Sequence, residues 1–70
     1  MTEYRIENSI RQRRCYNCGS RILSRERYLL EQYESFGHSN YRNWCRNCGV
    51  VELRKLGQNA ERMIKELIEG

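Results

Sequence analysis

The residues best placed to do chemistry are four cysteines in two Cys-x-x-Cys-Gly units, Cys15 to Gly19 and Cys45 to Gly49. A two-residue gap lets the backbone fold into a knuckle that points both sulfurs at one centre. Two knuckles then supply four thiolates, which matches the closed tetrahedral shell of a structural Zn²⁺. The glycine after each second cysteine, Gly19 and Gly49, is expected to take a positive φ. Two disulfides or four free thiols are the alternatives. A Cys-x-x-Cys disulfide closes too short a loop to stabilise much, so a metal is expected. Iron fits four thiolates as well, and zinc is the first expectation. Four thiolates around a divalent ion leave no position for water or substrate, so no enzymatic activity is expected.

Composition points the same way. The chain has 70 residues, 31% of them charged, and no proline; its mean hydropathy is −0.94. A chain this short and polar buries little apolar surface and is expected to need a staple. No apolar run is long enough for a membrane span or a secretory leader, so a single soluble domain in the reducing cytoplasm is expected, the host's cytoplasm if the source is viral.

The net charge is +4, and its distribution is uneven. Arg11, Arg13, Arg14, Arg21, Arg25 and Arg27 crowd one stretch in which Glu26 is the only acid. Arginine forks match phosphates and guanine edges, and Tyr16, Tyr28 and Tyr41 lie near enough in sequence to stack on bases. Together with Arg42 and Arg46, these arginines and Tyr16 form the candidate nucleic-acid surface, for DNA or RNA. A solvated face on a protein-binding module is the alternative. The single histidine, His38, lies in the polar stretch Phe36 to Asn40 and reads as a loop residue.

These residues need elements to position them. Residues 1–14 hold only sparse apolar positions (Tyr4, Ile6, Ile10) and read as a basic arm. Arg21 to Tyr33, followed by the turn-like Phe36-Gly37-His38-Ser39-Asn40, predicts a β-hairpin. After Gly49 the period changes: Leu53, Leu56, Ala60, Met63 and Leu67 recur at steps of three and four. That spacing predicts an amphipathic helix, either continuous or broken near Gly57-Gln58-Asn59. The expected fold is a small metal-stabilised α+β domain: a basic arm at 1–14, a four-cysteine finger at 15–57, and a helical extension at 58–70. If Ala60, Met63, Ile64, Leu67 and Ile68 are exposed on that extension, they offer a face to a protein partner or to a second copy.

Because the second cysteine pair runs directly into the helical period, the chain resembles a treble-clef or zinc-ribbon finger over residues 15 to about 57. That resemblance implies one structural zinc and a hairpin between the knuckles. The sequence Cys45-Arg46-Asn47-Cys48 before a basic helix is similar to zinc-binding small-subunit ribosomal proteins, whose pairs lie closer together. His38 and Asn40 between the pairs resemble the middle region of HNH nucleases, although Gly37 and Gly49 stand where that family places further catalytic or ligand residues. Trp44-Cys45 at the head of the second unit resembles rubredoxin and implies an iron redox centre. In size and arginine content the chain is similar to small phage and archaeal-virus regulators, which implies a regulatory or architectural, transcription-type role.

Overall fold

The structure is a computed structural model that describes residues 2–57 and 60–69. Five strands precede two helices: β1 (Thr2–Asn8), β2 (Arg13–Arg14), β3 (Arg21–Ile22), β4 (Arg27–Ser35), β5 (His38–Trp44), α1 (Arg46–Arg54) and α2 (Glu61–Glu69). Strands β1, β4 and β5 form an antiparallel sheet with β4 in the middle, and β2 pairs with β3 in a separate two-stranded ribbon.

The predicted hairpin is β4–β5, with its first strand starting at Arg27 and not at Arg21, since Arg21 and Ile22 pair in the β2–β3 ribbon. Ser35 pairs with His38, so the loop is Phe36-Gly37 alone, both at positive φ (52° and 77°). Both central residues at positive φ define a type I′ turn, whose twist suits the flanking strands. His38 and Asn40, expected in the turn, instead begin β5.

Within the stretch expected as an arm, Thr2–Asn8 and Arg13–Arg14 form strands. Thr2 to Asn8 pairs along its whole length with Tyr33 to Arg27 of β4. Glu3-Tyr4-Arg5-Ile6-Glu7 alternates polar and apolar, and that period of two places Tyr4 and Ile6 against the core.

The direct cross-strand neighbours Ile6, Leu29 and Trp44 share one face of the sheet. Both helices cover this face, and Leu29, Trp44, Leu53, Ala60 and Leu67 are its buried centre. Gly57, at φ +92°, turns the chain between the helices, so the helical stripe is two helices and not one; Gln58 and Asn59 of the expected break lie outside the described residues. The expectation of an exposed stripe on the extension is corrected for its core members: Ala60 and Leu67 are 3% and 0% exposed. Folding α2 back onto the sheet satisfies the stripe inside the chain. Met63 and Ile64 flank this core half-buried, and Ile68 alone of the five is exposed, at 50%.

Candidate metal centre and its surroundings

The first pair, Cys15 and Cys18, lies in the turn that joins β2 to β3. The Cys15 N–H donates to the Ser20 carbonyl (2.8 Å), and the Gly19 N–H donates to the Cys15 carbonyl (3.0 Å). Gly19 takes the expected positive φ, +73°. The Tyr16 N–H donates to the Asn43 carbonyl at 2.6 Å, which fastens the knuckle to β5.

The second pair is carried by a helix. Cys45 is the N-cap of α1, and its sulfur accepts from the Cys48 N–H at 3.5 Å. The positive end of the helix dipole therefore faces the sulfurs. Gly49 departs from expectation, since it has no positive φ and sits inside α1. A Cβ there would lie 2.8 Å from Leu67 Cδ2 and 3.1 Å from Leu29 Cβ. Close approach of α1 to β4 and α2, not backbone conformation, requires glycine at 49.

The four sulfurs all lie within 4.8 Å of one another, and Cys18 Sγ is 3.7 Å from Cys45 Sγ. A tetrahedral metal with bonds of about 2.3 Å to sulfur requires edges of about 3.8 Å. A disulfide needs about 2.05 Å, so these are four free thiols converging on one point. The donor set therefore fits a metal ion, and Zn²⁺ and iron both match a four-sulfur shell of this size.

Hydrogen bonds reach the sulfurs from outside the shell. Asn17 Nδ2 donates to Cys48 Sγ at 3.4 Å, and Ser20 Oγ lies 3.0 Å from Cys18 Sγ, placed to donate to its thiolate form. The Ser20 side chain and backbone pull the Cys18 thiol down to about 6. Burial pushes Cys45 up to about 12. The arginines next to the cysteines in sequence are not among the causes of either shift. Arg14 instead clasps the knuckle by donating to the Gly19 carbonyl at 3.3 Å.

Beside the cluster stands a wall that sequence reasoning missed. The Arg42 guanidinium lies 4.6 Å from the Tyr16 ring centroid and 4.3 Å from that of Tyr33. It also pairs with buried Glu31 at 3.6 Å. The other oxygen of Glu31 accepts from Trp44 Nε1 at 2.9 Å, and Trp44 meets Tyr16 edge-on at 5.5 Å. Glu31 could have been found from its place two residues after Leu29, on the same face and opposite Arg42, but only once the hairpin register was known.

The candidate nucleic-acid residues divide. Three arginines are engaged within the fold: Arg13 over the Tyr28 ring at 5.5 Å, Arg27 donating to the Glu66 carbonyl at 2.9 Å, and Arg42 in the wall just described. Arg11, Arg14, Arg21, Arg25 and Arg46 are exposed, and Tyr16 keeps part of its ring open to solvent. His38 lies at the opposite end of β5 from Cys45, about 20 Å along the strand, and does not join the cluster. Among the described residues, no helix is long and apolar enough to cross a membrane.

Comparison with protein-family models, with curated proteins and with solved structures finds no match to this chain.

Proposed function

We propose that the chain is a treble-clef-type zinc module that binds nucleic acid, with the metal as a staple and not a catalyst. The order of knuckle, hairpin and helix-borne knuckle supports the fold assignment. Four sulfurs complete a tetrahedral shell, which supports a structural role. A regulatory or architectural role fits a domain this small.

One observation carries the nucleic-acid reading. Arg14 and Arg21 are direct cross-strand partners in the β2–β3 ribbon, both exposed. Like charges in that relation repel. Among the described residues the ion pairs are Arg42 with Glu31 and Lys55 with Glu52, so no carboxylate neutralises Arg14 or Arg21. Phosphates would relieve the repulsion and accept the guanidinium forks. In mobility-shift titrations across salt, Arg14→Glu with Arg21→Glu should weaken binding about tenfold or more and reduce the log–log salt slope by about 2. Failure of the parent protein to bind DNA or RNA at low salt overturns the reading.

A second reading rests on α2. Ile64 and Ile68, with Glu61, Lys65 and Glu69, line a shallow apolar recess on its outer side. A protein partner or a second copy seated there would be released by Ile68→Glu, read as a change in mass on size-exclusion chromatography with light scattering.

A further inference from the structure

Loops 9–12 and 23–26 carry the chain from the three-stranded sheet to the ribbon and back. They are tied together as one tip. The Ser9 N–H donates to the Glu26 carbonyl (2.9 Å), and the Arg25 N–H donates to the Ser9 carbonyl (2.6 Å). Ser24 Oγ donates to the Ile10 carbonyl (3.2 Å), and Ser9 Oγ donates to the Arg11 carbonyl. Ser9 is buried, and Arg25 is held at φ +72°, a conformation that side-chain-bearing residues avoid. This rigid tip presents two apolar side chains to solvent, Ile10 at 87% and Leu23 at 54% exposure. Arg11 and Arg25, next to or near them in sequence, are exposed as well.

We infer that this tip is a wedge for duplex DNA: Ile10 and Leu23 enter a base step from the minor groove, while Arg11 and Arg25 hold the flanking phosphates. The inference rests on the nucleic-acid reading and specifies its target form. Branched aliphatic side chains are the kind that unstack and kink a step, and one or two suffice. An anionic membrane would also attract arginines beside exposed apolar groups, but stable anchoring there takes a broader apolar face than two side chains provide. The hydrogen-bonded backbone of the tip removes the ordering cost that a flexible loop would bring to insertion.

The test uses the metal-loaded full chain and a duplex of about 25 bp carrying a fluorophore pair at its ends. Binding should shorten the end-to-end distance. Ile10→Ala with Leu23→Ala should abolish the shortening and weaken duplex binding about tenfold, with the salt slope unchanged. Arg11→Ala with Arg25→Ala should reduce that slope by about 2 and keep the bend at saturation. Neither Ile10 nor Leu23 belongs to the core, so metal stoichiometry and circular dichroism should match the parent. Duplex binding without a bend, a bend that survives the apolar double variant, or binding confined to single strands or RNA overturns the wedge and leaves the nucleic-acid reading standing. Absence of binding to any nucleic acid overturns both, and capture by phosphatidylserine–phosphatidylcholine vesicles in that case assigns the tip to an anionic membrane.

Discussion

Gly19 and Gly49 occupy matching places in the two cysteine units and are needed for different reasons. At Gly19 an added Cβ meets open space, so the cost of a side chain is backbone strain at φ +73°, about 1–2 kcal/mol for alanine. At Gly49 the Cβ meets Leu29 Cβ, fixed to a central strand, and the more yielding end of Leu67. Overpacking of this kind costs about 1–3 kcal/mol, offset in part by the better helix propensity of alanine. A swap to serine separates the mechanisms. Gly49→Ser adds more volume with a smaller propensity gain and should destabilise more than Gly19→Ser, read as the larger drop in denaturant midpoint of the metal-loaded protein.

At the scale of elements, the β4–β5 turn and helix α2 each carry a testable asymmetry. Phe36 holds a positive φ while 99% exposed, so it loses the comfort of a relaxed backbone and gains no packing. Phe36→Asn should raise stability by about 0.5–1 kcal/mol, visible as a higher Tm, because asparagine tolerates the left-handed region and suits a type I′ turn before glycine. In α2, Leu67 fills the core between α1 and β4 while Ile68 points outward. Leu67→Ala should cost about 2–5 kcal/mol, and Ile68→Ala should stay within about 0.5 kcal/mol for the monomer. Equal losses in a thermal or denaturant melt would mean that α2 does not pack as described. Arg27 adds a polar anchor: its guanidinium donates to the Glu66 carbonyl, in the last turn of α2 where carbonyls lack helical partners.

For the whole molecule, the cluster of sulfurs joins segments far apart in the chain: the β2–β3 turn, the end of β5 and the start of α1. Metal binding and folding should therefore be one equilibrium. Removing a bound metal with a strong chelator should erase the cooperative thermal transition, and adding Zn²⁺ should recover it, followed by near-ultraviolet circular dichroism of Trp44 and the tyrosines. The sign of the pH effect follows from the ligands. Thiols shed protons when they bind metal, so acid competes with the ion and apparent affinity falls as pH drops. Between pH 8 and 6 the loss should exceed about tenfold per unit, measured by competition with a chromophoric chelator whose own protonation is corrected for.

The sequence alone picked out the four cysteines whose sulfurs converge, because two Cys-x-x-Cys units are local and their spacing already limits what the sulfurs can do. It also located the hairpin by its Phe36 to Asn40 stretch, of which only Phe36-Gly37 forms the turn, and an amphipathic C-terminal segment by its period. Strand β1 was legible in the alternation from Glu3 to Glu7, but a half-exposed strand with only Tyr4 and Ile6 turned inward gives a weak signal beside the basic run that follows it. The tertiary structure alone decided which arginines remain exposed. Arg13, Arg27 and Arg42 look like Arg11, Arg14 and Arg21 in sequence, and only strand register and the return of α2 give them Tyr28, Glu66 and Glu31 as partners. Likewise, nothing near Gly49 in sequence reveals that Leu29 and Leu67 crowd it. Such contacts depend on residues brought together by chain reversal, and a local pattern holds no record of them.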